Sequence, residues 1–464
     1  MSLEASRLAR EIRTADRTAR DTVAGAVTAA LAQQERLNAS VMVDVDRAIE
    51  RAEEIDALIA RGTDPGPLAG VPIALKDLID HSGRVTTCGS AFYRHEADRS
   101  ATVVDRLEGA GAVIISRTGL HEFAYGFSSE NDWFGPVRNP LDPTLSPGGS
   151  SGGSAAAVGG GQVPIAIGTD TGGSVRVPAA LCGVFGLKVT HGRVPLTGVF
   201  PLAPSLDTVG PIAGSVADLA LAYGVMAGHD PADPWSRPQP VVSPGPARDD
   251  LRGLRVAIPV PWIDEAPVDD HVATAFVRAM AALTELGATV EEFDDPQLAP
   301  PGMIHALVAG EAASVHRKWL GEERTYGDEV RSRLEDAMAV TLDEYVAATA
   351  WRAGLQARAA SAFGTFDLLA TPATGATRKV IGEPTIPVQD RDVSYRPVLS
   401  YFSALVNSMA CPAIVGPLDA PSVPPPALQL IGPRWSEHRL LEVAATLERH
   451  GIMARPGAAP EALA

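Results

Sequence analysis

Lysine is almost absent from this chain of 464 residues. Only four of its 39 basic residues are lysines, namely Lys76, Lys188, Lys318 and Lys379, and the others are arginines. Arginine keeps its proton inside a protein and cannot act as a base, whereas a desolvated lysine can lose its proton. Lys76 and Lys188 lie in apolar segments and are therefore candidate bases. Lys318 and Lys379 lie beside arginines in polar stretches, so we expect them on the surface.

Other absences exclude whole classes of protein. Three cysteines, Cys88, Cys182 and Cys411, are too few and too scattered for a disulfide framework or a zinc cluster. The net charge of −17 disfavours binding to a nucleic-acid backbone. No apolar run reaches the roughly 18 residues of a membrane span, and Met1–Asp21 lacks the apolar core of a signal peptide. We therefore expect a cytoplasmic protein that binds no metal.

Glycine and serine are concentrated in one stretch, residues 146–178. Two Gly-Gly-Ser clusters end at Ser150 and at Ser174. Between them lie a run of small residues, Ser154–Val158, and a short apolar segment, Pro164–Ile167, that predicts a strand. So many glycines indicate a backbone that turns tightly or approaches another group closely.

The first cluster has several interpretations. Its composition is typical of a flexible linker, although its flanks predict a helix and a strand. The segment Gly148–Gly152 also satisfies the G-x-S-x-G pattern of a nucleophile elbow. That motif needs a preceding strand, and the prolines at 140, 143 and 147 argue against one. A phosphate-binding Walker loop is excluded, because no Gly-Lys-Ser/Thr follows.

The second cluster suggests a different chemistry. After the predicted strand, the backbone N–H groups of Thr171, Gly172, Gly173 and Ser174 can converge on one point and bind an oxyanion. Ser174 can then attack a carbonyl carbon held there, provided that a base accepts its proton. A lysine whose pKa is lowered by burial is such a base, and Ser-Lys pairs are a known variant of the hydrolytic triad.

The rest of the chain alternates predicted helices and strands, which indicates an α/β fold. Helical periodicity covers most of Leu3–Arg61. We predict further elements as follows: strands at Val71–Leu75, Ala112–Ser116, Arg255–Pro259 and Leu428–Ile431; core elements at Gly183–Leu187 and Asp207–Ile212; helices at Val216–Met226, Val268–Leu286, Met303–Leu320, Val330–Arg358 and Glu437–Arg449; and a loop at Thr371–Val393.

Several motifs together resemble the amidase signature family of serine hydrolases. They occur in the order of that family and cover residues 66–77, 147–157, 168–178, 182–188, 206–211 and 428–432. The resemblance implies a single α/β/α domain over residues 1–464, with a large mixed central sheet flanked by helices. It divides the chain into an N-terminal helical segment (1–62), a signature core (66–215) and a C-terminal portion that forms the substrate pocket (250–464).

The resemblance also assigns catalytic roles. The nucleophile of the family corresponds to Ser174, the bridging serine after a cis peptide bond to Ser150, and the base to Lys76. The oxyanion donors correspond to the backbone of residues 171–174.

Further roles around these residues follow from the same resemblance. Asp170 and Arg176 are expected to brace the nucleophile loop, and Ser151 to bond Lys76 or that loop. Tyr125 and Phe127 are expected to line the acyl pocket. The loop Thr371–Ser400 is its other expected wall, and the side chains that can reach the substrate are Tyr395, Arg396 and Tyr401. Lys188 is expected to be structural.

These assignments predict an amidase that hydrolyses a small carboxylic amide to an acid and ammonia or an amine, without metal or cofactor. One alternative is the glutamine-hydrolysing chain of glutamyl-tRNA(Gln) amidotransferase, because Val330–Arg333 resembles its glutamine-site helix. Leu399–Val406 lacks the acidic residue that such a chain uses for the glutamine amino group.

Two alternatives from other classes remain, a non-catalytic protein that keeps the fold and an esterase that uses Ser150. The expected partner is a small-molecule amide, without nucleic acid or membrane. A homodimer is left open, and so are the individual roles of Arg331, Arg333, Tyr395 and Arg396.

Overall fold

The computed structural model describes residues 4–298, 303–322 and 324–456. Its strands are β1 (Ser40–Val43), β2 (Pro72–Lys76), β3 (Val85–Thr86), β4 (His95–Glu96), β5 (Val113–Thr118), β6 (Ile165–Asp170), β7 (Phe185–Lys188), β8 (Thr208–Ala213), β9 (Arg255–Pro259), β10 (Thr289–Phe293), β11 (Leu368–Pro372), β12 (Thr385–Val388), β13 (Arg391–Ser394), β14 (Ala413–Pro417) and β15 (Ala427–Ile431).

Its α-helices are α1 (Ala5–Arg13), α2 (Ala19–Ala32), α3 (Gln34–Leu37), α4 (Val45–Ala60), α5 (Thr102–Gly109), α6 (Gly152–Gly159), α7 (Arg176–Leu181), α8 (Val216–Met226), α9 (Val260–Asp264), α10 (Asp270–Glu285), α11 (Met303–Gly321), α12 (Asp328–Met338), α13 (Leu342–Ala362), α14 (Tyr395–Ser408) and α15 (Glu437–Arg449). Short 3₁₀ turns lie at Glu122–Ala124 and Pro296–Leu298.

A large mixed sheet forms the centre of the fold. Within the described ranges it has 11 strands in the order β1-β5-β2-β6-β8-β7-β14-β15-β11-β9-β10. The pairs β5/β2, β2/β6, β11/β9 and β9/β10 are parallel, and the other pairs are antiparallel. This mixed sheet confirms the predicted α/β class.

Helices cover both faces of the sheet, as the alternation along β2 illustrates. Successive side chains of a strand point to opposite faces. Ile73 and Leu75 join an apolar cluster that contains residues of α1, α5, α8 and α15. Ala74, between them, joins a second cluster with residues of α2, α4, α6 and α7. The sheet is therefore the middle of three layers, α/β/α.

The strand pairing also positions the lysine that the sequence singled out. The parallel strands β2 and β6 pair Leu75 with Ile167. Lys76 is the last residue of β2, and the loop that holds Ser174 follows β6. Because parallel strands end at the same edge of a sheet, both elements emerge together there.

Three expectations about local structure need correction. The helical segment Leu3–Arg61 contains the edge strand β1. The predicted helix Val330–Arg358 is interrupted, because Thr341 caps a new helix by a reciprocal pair of hydrogen bonds with Glu344. The predicted loop Thr371–Val393 contains the hairpin strands β12 and β13, which pair antiparallel.

Among the described residues, no helix is both long enough and apolar enough to cross a membrane. In the same part of the chain, no group of three or more His, Cys, Asp or Glu side chains is arranged to hold a metal ion.

Candidate active site

Lys76 is fully buried, and its amine has two hydroxyl neighbours. Its Nζ donates to the Oγ of Ser150 at 2.8 Å and to the Oγ1 of Thr169 at 2.9 Å. Burial lowers the pKa of Lys76 to about 7, and the carboxylates of Asp170 and Asp207 act in the opposite direction. A large fraction of the amine is therefore neutral near pH 7, as a base requires.

Ser150 is attached to the loop that contains Tyr125 and Phe127. The Ser150 carbonyl accepts hydrogen bonds from the backbone N–H of His121 at 3.1 Å and from the Ser129 hydroxyl at 3.2 Å. The Gly149–Ser150 peptide bond is cis, as the resemblance implied. A Cβ at Gly149 would lie 2.9 Å from backbone atoms of residues 127, 128 and 129, so only glycine fits there.

Asp170 organises the loop that ends in Ser174. Its carboxylate accepts from Nε and Nη2 of Arg176 at 3.0 and 2.9 Å, and from Nδ2 of Asn407 at 3.0 Å. Burial alone would raise the pKa of Asp170, but the charge and hydrogen bonds of Arg176 hold this pKa well below its ordinary value. Asp170 and Arg176 thus contact the loop that ends in Ser174, as bracing residues would.

One of the four expected oxyanion donors has a different partner. The Gly173 N–H donates to Oδ1 of Asp170 at 2.8 Å, so it is not free for a substrate. The N–H groups of Thr171, Gly172 and Ser174 donate to no acceptor within the described part of the chain. These three groups remain as candidate oxyanion donors.

Ser151 and Thr169 link the two serine clusters. The Ser151 hydroxyl donates to the Thr169 carbonyl at 3.2 Å, and the Ser151 N–H donates to the Ser174 carbonyl at 3.2 Å. Of the two expected contacts of Ser151, the structure therefore has the one to the loop. Sequence reasoning missed Thr169, although a parallel pairing of β2 with β6 would have placed it beside Lys76.

Phe127 and Tyr125 have different environments. The tip of the Phe127 ring lies 3.6 Å from the position that a Cβ on Gly172 would take, so this ring borders the nucleophile loop. Tyr125 is 1% exposed, and the guanidinium of Arg333 lies 4.0 Å from the centre of its ring. The positive charge of Arg333 acts on the buried Tyr125 hydroxyl, but neither this hydroxyl nor Nη1 of Arg333 makes a hydrogen bond of good geometry among the described residues. Such buried polar groups need an explanation.

A polar cavity of about 320 Å³ lies next to the loop that contains Tyr125 and Phe127. Glu329 of α12 lines it and accepts from the Tyr395 hydroxyl at 2.6 Å and from Nη2 of Arg396 at 2.7 Å. The cavity extends to Ser128, whose backbone N is near Gly149. Tyr395 and Arg396 therefore lie in a cavity wall.

The structure corrects the expected position of Lys379 and shows the environment of Arg331. Lys379, expected on the surface, is 2% exposed and forms an ion pair with Glu130 in the wall of the same cavity. Its burial arises because the segment around it pairs with residues 144–146 and contacts Glu130, and no local pattern indicates such contacts between distant segments. Arg331 makes an ion pair with Glu335 at 3.4 Å and donates to the Arg324 carbonyl, so it does not share the environment of Arg333.

Comparison with known proteins identifies the family. The Amidase family model matches residues 21–441. The AtzE chain of 1-carboxybiuret hydrolase from Pseudomonas sp. (strain ADP) is 36% identical, over 94% of this chain and 96% of that protein. The glutamyl-tRNA(Gln) amidotransferase A chain of Carboxydothermus hydrogenoformans (strain ATCC BAA-161 / DSM 6008 / Z-2901) is also 36% identical, over 90% of this chain and 91% of that protein.

A solved structure supports the same conclusion. It is described as "An unexpected vestigial protein complex reveals the evolutionary origins of an s-triazine catabolic enzyme", and it superposes with a TM-score of 0.92 at 33% identity. The match covers 97% of this chain and 99% of the other. The chain belongs to the amidase signature family. It is an amidohydrolase that acts on C–N bonds.

Proposed function

We propose that this enzyme hydrolyses the terminal carboxamide of a small, carboxylate-bearing molecule to an acid and ammonia. The Ser174 hydroxyl attacks the amide carbon while its proton passes through the Ser150 hydroxyl to the neutral amine of Lys76. The same route returns the proton to the amide nitrogen, the C–N bond breaks and ammonia leaves. Water then attacks the acyl ester by this route and releases the acid.

The observation that carries this mechanism is the position of the Lys76 amine. It is buried, it lies 2.8 Å from the Ser150 hydroxyl, and burial lowers its pKa to about 7. A base with a pKa near the working pH combines a large neutral fraction with useful proton affinity. The free N–H groups of Thr171, Gly172 and Ser174 would stabilise the negative charge on the attacked carbonyl oxygen.

The substrate class is argued from Arg333. The two cations that line the cavity are already paired, Lys379 with Glu130 and Arg396 with Glu329, whereas Arg333 lies beside Tyr125. Arg333 has no carboxylate within 4.0 Å among the described residues, its guanidinium lies 4.0 Å from the centre of the Tyr125 ring, and its Nη1 is buried without a hydrogen bond of good geometry. A carboxylate accepts from a guanidinium and compensates its buried charge, so we infer that the substrate carries one.

The names of the relatives agree with a small polar amide. One relative is named as part of a hydrolase of 1-carboxybiuret, whose name denotes a carboxylate on a chain of amide groups. Several others are named as one chain of a glutamyl-tRNA(Gln) amidotransferase, so glutamine hydrolysis within a complex is the second candidate. An isolated chain that releases ammonia from small carboxylate-bearing amides, and with which no partner protein co-purifies, would favour the first candidate over the second.

Ammonia release from a panel of small amides tests the proposal. Ser174→Ala and Lys76→Arg should each reduce kcat by roughly 10³-fold or more, since the first removes the nucleophile and the second replaces the base with a permanently charged group. A fluorophosphonate should label Ser174. Labelling of Ser150 would instead indicate an esterase that uses the first cluster. A folded chain that reacts with neither amide nor fluorophosphonate would indicate a non-catalytic protein.

A further inference from the structure

One carboxylate oxygen of Glu329 accepts no hydrogen bond from the part of the chain that the structure describes. The Tyr395 hydroxyl donates to its Oε1 at 2.6 Å, and Nε and Nη2 of Arg396 donate to the same atom at 3.1 and 2.7 Å. Nε2 of His121 lies 3.8 Å from Oε1 as well. Across the described chain, no donor reaches Oε2, although the side chain lines the polar cavity and is only 32% exposed.

Glu130, the other largely buried carboxylate of this cavity, is used on both oxygens. Its Oε1 accepts from the Lys379 amine, and its Oε2 accepts from the Gly382 N–H at 2.9 Å. Of these two carboxylates in one cavity, only Glu329 has an oxygen that accepts no hydrogen bond from the described residues. The third, Glu383, is exposed at the rim, where solvent screens its charge.

The surroundings of Glu329 favour a neutral donor over a cation. Arg396 already compensates its charge, and Arg333 lies four residues further along α12, on the same face of the helix. A substrate ammonium at Oε2 would gain little from a carboxylate whose charge is already compensated, and the nearby Arg396 guanidinium would repel it. A neutral N–H group gains a charge-assisted hydrogen bond without that repulsion.

We propose that Oε2 of Glu329 accepts a hydrogen bond from a neutral N–H group in the non-reacting part of the substrate. The site then selects a ureido or amide N–H near the substrate carboxylate over a hydrocarbon chain of the same length. This assignment rests on the proposed function, because it concerns the substrate of the same site. It makes Glu329 a specificity-determining residue.

Three matched molecules test the inference. Ureidoacetate and succinamate share a terminal carboxamide and a carboxylate and differ only by N–H in place of CH₂. Asparagine is succinamate with an added ammonium. Binding to the Ser174→Ala variant, measured by titration calorimetry, reports recognition without turnover. We expect ureidoacetate to bind about 10-fold more tightly than succinamate, as a hydrogen bond to a charged acceptor suggests, and asparagine to bind no better than succinamate.

The decisive variant is Glu329→Gln. Tyr395 and Arg396 are donors and will hold the amide oxygen of the glutamine, so its NH₂ group replaces Oε2 and faces the substrate N–H. The preference for ureidoacetate should disappear. The matched control is Glu130→Gln, which should weaken both ligands by the same factor because both Glu130 oxygens serve the protein.

The inference is overturned by an unchanged preference in Glu329→Gln, by asparagine as the tightest ligand, or by no binding of any of the three. Ammonia release by the wild-type chain is measured separately. Its absence, with the binding preference retained, would refute the proposed hydrolysis and leave the role of Glu329 standing. A ratio of kcat/KM values for ureidoacetate and succinamate that drops about 10-fold in Glu329→Gln would support both.

Discussion

The Oγ1 of Thr169 lies 2.9 Å from the Nζ of Lys76, at the point where β6 ends beside β2. The same amine reaches the Ser150 hydroxyl at 2.8 Å, so two hydroxyl groups orient it. The backbone N–H of Thr169 donates to the Ser151 hydroxyl at 3.3 Å, and this hydroxyl donates back to the Thr169 carbonyl. Thr169 therefore positions the lysine relative to both serine clusters.

Replacing Thr169 by valine should leave the fold intact and disturb the amine. We expect kcat for ammonia release to fall about 10-fold, since one of the two hydrogen bonds that orient the Lys76 amine is lost. The Thr169 hydroxyl accepts a hydrogen bond from the Lys76 amine and so favours its protonated form. Losing this bond should therefore lower the pKa of Lys76 and move the pH midpoint of kcat to lower values. Thr169→Ser keeps the hydroxyl and should restore both quantities. A normal pH midpoint in the valine variant would mean that Thr169 has only a structural role.

The rate of hydrolysis by the wild-type enzyme should rise with pH through about 7. Burial lowers the pKa of Lys76 to about 7, so the amine is protonated and inactive below this pH and neutral above it. A pH profile of kcat for ammonia release measures this midpoint. Lys76→Arg should show no such rise, because arginine stays protonated throughout the range. A wild-type rate that is independent of pH between about 5 and 9 would contradict a lysine base.

Removing Arg176 should destabilise the fold strongly. Its side chain is 0% exposed and donates to Asp170, to Oε1 of Gln429 at 2.7 Å and to Oδ1 of Asn407 at 2.6 Å. Arg176→Met leaves the Asp170 carboxylate buried without its cation, which costs about 3–5 kcal/mol.

A surface ion pair provides the control for this change. Arg331→Met removes the exposed pair with Glu335 and an exposed hydrogen bond to the Arg324 carbonyl, and should cost at most about 1 kcal/mol. Urea unfolding of both variants measures the difference in the free energy of unfolding. Equal losses in the two would show that the Asp170–Arg176 pair does not brace the nucleophile loop.

Asp218 should make the protein less stable as the pH rises. It is 1% exposed, its Oδ1 accepts from the Ala5 N–H at 3.0 Å, and its Oδ2 has no partner among the described residues. Burial raises its pKa to about 7, and the carboxylate of Glu4 adds to the effect. In the unfolded chain this carboxyl ionises near pH 4, so folding takes up a proton between these values. The resulting stabilisation is complete below about pH 4 and is lost as the pH rises through about 7.

Asp218→Asn tests this linkage, because asparagine keeps an acceptor for the Ala5 N–H and cannot ionise. We expect the variant to have the higher Tm at about pH 8, and the difference from the wild type to shrink towards about pH 5. Thermal scans at both pH values measure it. Two curves that run parallel over this range would exclude Asp218 as the source of the pH dependence.

Local patterns predicted most of the secondary structure. The helix at Glu437–Arg449 has the predicted bounds, because its apolar residues recur at helical spacing and Gly451 follows its end. The strand predicted at Val71–Leu75 is shifted by a single residue. The hairpin within Thr371–Val393 escaped prediction, since its four-residue strands are too short for a periodic signal.

The sequence alone determined the candidate chemistry, and only the tertiary structure decided how its parts meet. Scarcity of lysine pointed to Lys76, and two glycine-rich clusters pointed to Ser150 and Ser174, because residue type and local spacing carry that information. Contacts between distant segments leave one oxygen of Glu329 without a donor among the described residues. Such contacts also bury Lys379. Lys76 and Thr169 are 93 residues apart, and they meet because two strands pair in parallel, which no local pattern encodes.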